Sequence, residues 1–489
     1  MSDLEKTVGI EVEDSHGREK ERREVNKGLE FTQEEVSVLK KALRKIDMRV
    51  LPIMYLMYLV GAMDRYNMGA ALINGIIEKL NLTSTDQGNI NSLFFTTYIA
   101  MEPFANIILK KTRPSFWFPF IGISWSITCM CMAAVTNATQ AVIIRLLLGI
   151  FEAGFTPGMI TYLAYWYTRE DLGSRMSIMF SAHPGSGIVN LLYGAFASIK
   201  IGKLIAYQSI FIFGGTITLV IAIAAIFIIQ DYPEHVKFLT EKEKALVVKR
   251  INASQGSAER SHVTFKSILE TILDWKVWAF AILNLSRTAS LLILGLIGPT
   301  IIKSFGFSRS EATFLFAVVS AIGTCSTITF AFVFQKVPYW IRIVGADIIT
   351  AAFFAVVAFS TNNVVRLVFM FALGIPVYAI FPIATSWMSV NAGSTQKRAL
   401  MSAVFAMVGN VVGLAVPYLF TTATAPKYIA GYSLAFGLYA LSIVVALTLA
   451  FALNKANKQR EAHPQDVSHL TPEEQRAMHD FHPSFRYIL

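Results

Sequence analysis

RLLLGIFEAGFTPGM, residues 145–159, is an apolar stretch that carries two charges, Arg145 and Glu152. Their spacing is close to two helical turns, so both side chains project from one helix face about 10 Å apart along the axis. An earlier apolar stretch, LMYLVGAMDRYNMGAALI at 56–73, holds Asp64 and Arg65. An ionisable group inside hydrocarbon costs roughly 3 kcal/mol or more, so it comes with a partner, a water-filled cavity or a task. The two stretches read as membrane-spanning helices that face a charged interior.

Composition agrees. Of 489 residues, 54% are hydrophobic and only 16% charged, with 36 Phe, whereas soluble domains carry about 25% charged residues. Mean hydropathy is +0.51. Windows of about 20 apolar residues, each long enough to cross a bilayer core, recur twelve times, from 50–73 to 430–454. The expected fold is an all-α membrane protein with twelve transmembrane helices in two pseudo-symmetric six-helix halves. Its parts are a cytoplasmic tail at 1–49, a first half at 50–230, a cytoplasmic connector at 231–274, a second half at 275–454 and a cytoplasmic tail at 455–489. The first 48 residues are charged and lack the apolar core of a signal peptide.

The net charge of +10 is distributed as for a membrane protein, not a nucleic-acid binder. Lys and Arg cluster before the first span (Arg18, Arg22, Arg23, Lys40, Lys41, Arg44, Lys45, Arg49) and in alternate loops: Lys110, Lys111 and Arg113, then Arg169 and Arg175, then Lys242 to Arg250, then Lys397 and Arg398. By the positive-inside rule both termini are expected in the cytoplasm, which needs an even number of spans. The sequon Asn81-Leu82-Thr83 falls in the first outward loop, which makes Asn81 a glycosylation candidate. Cys129, Cys131 and Cys325 are too few for a disulfide framework. No metal-ligand spacing, nucleotide loop or nucleophile with a base is present, so neither a metal, a cofactor nor an enzyme activity is expected.

The connector, DYPEHVKFLTEKEKALVVKRI from 231, has Thr240 and Glu243 placed as a helix-capping box. Trp166 followed by Arg175-Met176-Ser177 is echoed by Trp387 followed by Arg398 to Ser402. Parallel repetition of two halves is how twelve-span carriers of the major facilitator type build a central pathway.

Several stretches carry a closer resemblance: LRKIDMRVLP leading to MDRYN at 63–67, LKKTRP at 109–114, RLLLGIFEAGFTPGM at 145–159, DYPE at 231–234, PTIIKSFGF at 299–307, WMSVNAGSTQKRA at 387–399, APKYIAGY at 425–432 and HPSFRY at 482–487. The chain resembles the anion:cation symporter branch of the major facilitator superfamily, and within it the fungal allantoate permease group, over nearly its whole length from about residue 40. The resemblance implies that Arg65 anchors a substrate carboxylate, that Asp64 and Glu152 are proton-coupled carboxylates, and that Arg145 tunes Glu152. The chemistry is consistent: a guanidinium is weakly hydrated and presents a planar fork to a carboxylate. The alternative for these four residues is a fixed ion-pair network holding spans one and four together.

Arg287, near the midplane of the seventh span, is expected either as a second anion contact or as a partner for Glu152 or Asp64. Arg145 lies nearer the outer side, which points to gating. His183, in FSAHPGSG, either contacts substrate or bonds a carbonyl opened by Pro184. Asn410 is a plausible polar substrate contact, and Trp387 an interfacial anchor. Gly214-Gly215 stands where the resembled group usually has Glu-Gly, which bears on coupling.

The function expected is a secondary active carrier, monomeric and multi-pass in the plasma membrane, that imports a small organic anion (carboxylate, vitamin or ureide) by proton symport with alternating access. Alternatives are a proton-driven exporter of an acidic secondary metabolite and a non-transporting nutrient sensor on a carrier scaffold. Expected partners are the anion, protons and the lipid bilayer, and not nucleic acid.

Overall fold

Thr32 opens the first helix. Its hydroxyl accepts from the Glu35 amide and the Glu35 carboxylate accepts from the Thr32 amide, at 3.3 and 2.8 Å, a reciprocal cap that satisfies two amides a helix start leaves open. From there α1 runs unbroken over Gln33–Ile73. The computed structural model describes residues 32–189, 191–198, 202, 204–236, 238–255, 265–334, 336–393, 395–421, 424, 428–463, 479–483 and 485–489. Arg18, Arg22 and Arg23 of the expected tail lie outside the described residues, as do Ala425 to Lys427 of the APKYIAGY stretch. Residues 32–49 differ from the expectation of a tail: they form the first turns of α1. Leu39, Ala42, Ile46 and Val50 are buried at helical spacing, and Lys45 meets Glu243 of the connector at 2.7 Å.

The remaining spans are α2 (Ser84–Lys111), α3 (Pro114–Cys131), α4 (Ala138–Glu152 continuing as Phe155–Trp166) and α5, in pieces Arg169–Phe180, Ala182–Val189 and Leu191–Ser198. Then come α6 (Ala206–Ile228), α7 (Trp275–Leu292, a π turn, then Gly298–Lys303), α8 (Arg309–Val333), α9 (Tyr339–Phe359), α10 (Asn363–Val390), α11 (Thr395–Asn410 with two short turns to Leu419) and α12 (Ile429–Ala462). Ten of these are long and apolar enough by themselves to cross a membrane. The other two are α2, which carries Glu102 and a polar first turn, and α5, which opens on polar residues and is interrupted at Ser181.

The two halves repeat each other's packing. In the first, α1 packs on α5 and α6, α2 on α4 and α3 on α6; in the second, α7 packs on α11 and α12, α8 on α10 and α9 on α12. Adding six to each helix number of the first set gives the second. The seams between halves, α5 with α8 and α2 with α11, obey the same rule. Between the halves, the Thr240–Glu243 cap forms as expected and opens the connector helix Glu241–Gln255. Glu243 and Lys242 hold it to α1, while Arg250 reaches Asp171 of α5 at 2.6 Å.

The end of the chain folds back onto the second half. Asp480, fully buried, accepts from Lys276 of α7 and from Lys397 of α11, and Lys397 also meets Asp274. Lys276 donates to the Tyr487 hydroxyl at 2.6 Å, the Asn391 side chain accepts from the Ile488 amide at 2.9 Å, and the Tyr339 amide donates to the Leu489 carbonyl at 2.8 Å. Trp387 is therefore no interfacial anchor. It is fully buried, its indole N–H donates to the Ile488 carbonyl at 2.8 Å, and its ring stands edge-on to Phe280.

Asp480→Asn removes a carboxylate shared by two buried ammonium groups, Lys276 and Lys397, and is expected to destabilise the protein by about 3 kcal/mol. A thermal melt of the purified chain checks this, and an unchanged midpoint would mean the segment is not docked. Burial by itself would raise the Asp480 carboxyl, but Lys276 and Lys397 hold it below the ordinary value of 3.8. Its contribution is thus complete above that value and lost as pH falls through the lowered folded one.

Candidate functional site

Asp64 and Arg65 are neighbours on α1, so their side chains leave the helix about 100° apart and enter different environments. Arg65 points towards α2 and α4. Its Nε and one terminal nitrogen donate to Glu152 Oε1 at 2.9 and 2.5 Å, and its guanidinium lies over the Tyr98 ring at 4.8 Å. Glu152 ends the first piece of α4. The break that follows brings α2 close: a Cβ on Gly154 would sit 2.6 Å from that of Ala105, so only glycine fits. Tyr58, Arg65, Trp125, Glu152, Thr156 and His183 line a void of about 10 Å³, the scale of a single water. His183 enters from α5 and shares a 3.1 Å hydrogen bond with the Tyr66 hydroxyl. That partner is a side chain, not the backbone carbonyl at Pro184.

Asp64 faces away from this void. It accepts from the Thr218 hydroxyl of α6 at 2.7 Å and from Cys129 of α3 at 3.7 Å. Asn67 donates to Cys129 at 3.1 Å and accepts from Arg145 at 3.3 Å. A polar chain thus runs behind α1 from Asp64 to Arg145. Arg145 makes no ion pair among the described residues; the 10 Å axial spacing that puts it on the Glu152 face also keeps the two from pairing. The carboxylate's direct partner is Arg65. The partner of Arg145 among the described residues, Asn67, lies in the first half.

Arg287 takes neither expected partner. It is fully buried, donates to both oxygens of Asp347 of α9 at 3.1 and 3.3 Å and to Ser442 of α12 at 3.0 Å, and Ser442 donates to Asp347 at 2.6 Å. This is the face of α7 that corresponds to the Asp64 face of α1. Arg287→Leu strands the buried carboxylate and is expected to cost about 3–5 kcal/mol, whereas adding Asp347→Leu should recover most of that. Melting curves of the single and double variants check it; equal loss in both would mean that the stranded Asp347 carboxylate is not the source of the loss and that Arg287 itself supplies the stability. Asn410 closes the main helix of α11, half-buried and outside the lining of the void. Its neighbour Gly409 packs on Asn284 and Thr288 of α7. Asn81 is exposed in the turn before α2, at φ 50°.

The two halves meet at both ends of the bundle. At the end opposite the termini, a Cβ on Gly69 of α1 would lie 2.6 Å from the Leu296 carbonyl of α7, and one on Gly413 of α11 would meet the Phe95 ring of α2 at 2.4 Å. Ser92 donates to the Leu414 carbonyl and Tyr418 to Asn89, at 2.9 and 2.6 Å. Towards the termini Phe180 of α5 and Phe381 of α10 meet edge to face at 5.1 Å. Gly187 seats Ser320 of α8 where its own Cβ would be. Glycine at these contacts lets the helix backbones of the two halves approach closely.

Two intramembrane acids, Asp347 and Glu102, escape the sequence reading. Each is a single carboxylate in an apolar stretch, the same signal that singles out Asp64 and Glu152.

Known proteins agree with this architecture. The chain is 29% identical to a "Putative tartrate transporter" of Agrobacterium vitis over 86% of its own length and 94% of that protein's. It is 26% identical to the "MFS-type transporter cnsO" of Penicillium expansum, covering 92% of this chain and 90% of that one. Among solved structures, a bacterial homologue of the human lysosomal transporter Spinster, in an inward-facing and unoccupied conformation, superposes with a TM-score of 0.57 at 15% identity, over 86% of this chain and 96% of that one. The family model described as Major Facilitator Superfamily matches residues 54–417. A twelve-helix bundle of two repeated halves, closed around a buried Arg–Glu pair and matched across most of its length by that model, is a transporter and not an enzyme: the chain belongs to the Major Facilitator Superfamily.

Proposed function

We propose that this transporter carries a small organic anion inward together with protons, by alternating access, with Arg65 as the anion's anchor and Glu152 as the coupled carboxylate. The observation that carries the reading is the Arg65–Glu152 pair in a small void lined by helices of the first half. Arg65 has one planar fork and two claimants for it. A substrate carboxylate that takes the fork releases Glu152, which then has no cation and takes a proton; when the anion leaves, Arg65 reclaims Glu152 and the proton is expelled. Binding and protonation are thereby one event. His183 and Tyr66, beside Arg65, supply hydroxyl and imidazole groups for the rest of the anion. The tartrate name of the bacterial relatives supports a hydroxylated carboxylate as the first substrate to try.

The test is uptake of a labelled panel, tartrate with other carboxylates and ureides, by cells expressing the chain at external pH 5 and 7.5. At least one carboxylate should accumulate, faster at pH 5. Efflux driven by an inward proton gradient would instead mark an exporter. For orientation, we propose a plasma-membrane location with both termini cytoplasmic. Asn81→Gln is then expected to abolish a glycan-sized mobility shift, and a protease-accessible terminus in intact cells would overturn that orientation.

A further inference from the structure

Glu102 of α2 is fully buried, and neither carboxyl oxygen has a hydrogen-bond partner among the described residues. An ionised carboxylate so placed would lie in a low-dielectric interior with no donor, which costs far more than a neutral carboxyl left there. The residue that follows is Pro103, inside the helix. Proline brings no N–H to the carbonyl four residues back, so α2 frees the Ile99 carbonyl within one turn of Glu102. Only a protonated carboxyl can use that acceptor.

Among the described residues, the surroundings supply no fixed counter-ion. The helices packed along α2 are α4 and α11. On α4, Glu152 is bound to Arg65, Arg145 is turned to Asn67, the Tyr162 hydroxyl donates to the Gln230 carbonyl, and Tyr165 packs on Tyr232. On α11, Lys397 is taken by Asp274 and Asp480, Arg398 donates to the Ser389 carbonyl, and Tyr418 to Asn89. The cation whose field reaches Glu102 is Arg65. Between them stands Tyr98, one turn before Glu102 on the same helix face, with its ring under the Arg65 guanidinium.

We infer that Glu102 is a second proton-carrying carboxylate of this transporter, protonated while the void is closed and ionised when movement of α2 against α4 and α11 opens it to water or to Arg65. The inference rests on the proton-coupled reading above and adds a site to it. Glu152 exchanges its proton against Arg65 directly, whereas Glu102 exchanges with water behind Tyr98. One anion then moves with a proton on each carboxylate.

Two measurements test it. Infrared spectra of the full chain in lipid nanodiscs need no substrate: at pH 7 the wild type should show a protonated-carboxyl stretch that Glu102→Gln lacks. Absence of that band in the wild type, or its survival in the variant, overturns the inference. In vesicles loaded with a pH-sensitive dye, protons moved per anion are counted for the panel carboxylate taken up fastest. Glu102→Gln and the apolar Glu102→Met should each move one proton fewer per anion while keeping anion exchange. Because Glu102 makes no hydrogen bond, neither variant should lower the thermal midpoint; a fall in both would make Glu102 structural and overturn the inference. Wild-type proton movement with an unchanged count in the variants also overturns it, leaving the coupled reading intact. A wild type that moves anions without protons overturns both, and the infrared band then marks a buried acid with no transport role.

Discussion

Arg65→Lys is expected to raise the half-saturation concentration for the transported carboxylate about 10- to 100-fold, with the protein still folded and in the membrane. Lysine keeps the charge and loses two features of the site. The guanidinium holds Glu152 through two nitrogens, one of them at 2.5 Å, and lies over the Tyr98 ring. An ammonium is a compact point charge that can neither fork onto a carboxylate nor stack on a ring in the same way. Losing one charge-assisted hydrogen bond is worth roughly 1.5–3 kcal/mol. Initial uptake rates over a range of anion concentrations give the answer. A pure loss of maximal rate at constant half-saturation would place Arg65 in the conformational change and not in binding, and no change in either would remove it from the site.

How much of this site can be read from the sequence depends on the kind of information each residue carries. A charge inside an apolar stretch is visible in the chain itself, which is why Asp64, Arg65, Arg145, Glu152 and Arg287 stand out from sequence alone. Partnership is not local. Glu152 lies two turns from Arg145 on its own helix face, and only the packing of α1 against α4 decides in favour of Arg65. The same limit separates Asp64 from Arg65: adjacency in sequence suggests one site, while the helical turn sends one towards the void and the other to Thr218 and Cys129. Arg287 invites partners across the halves as long as its acid on α9 is passed over. Testing every span for a single buried charge finds Asp347 and Glu102. Trp387 misleads because an indole near a helix end commonly marks the membrane surface. Here the chain terminus returns to cover it, a contact between residues about a hundred positions apart. The repeat of two halves is foreshadowed by the Trp–Arg echo, and its full regularity is visible only in the six-step rule of helix packing.

Glu152→Gln is expected to separate binding from energy coupling. Glutamine matches the size of glutamate and can still accept from Arg65, but it has no proton to release. It also competes weakly for the guanidinium, so the substrate carboxylate meets less opposition and its half-saturation concentration should fall, the opposite of Arg65→Lys. Exchange of labelled for unlabelled anion across vesicles needs only binding and alternating access, and should persist. Accumulation against a gradient when the outside is acidified needs a proton to ride with the anion, and should fall by an order of magnitude or more if Glu152 supplies the main coupling, about 1.4 kcal/mol of driving force per tenfold. The variant also leaves Arg65 without its counter-ion, which by itself can cost about 3 kcal/mol or more of stability. A melting curve must therefore accompany the flux data. Retained exchange with reduced accumulation in a stable protein identifies Glu152 as a coupling site. Full accumulation would shift coupling onto Glu102, the other buried acid on the Arg65 side of α1, since Asp64 faces the opposite way. Loss of exchange together with a lowered midpoint would mean that the Arg65–Glu152 pair serves chiefly to hold α1 against α4, and that the anion is gripped elsewhere.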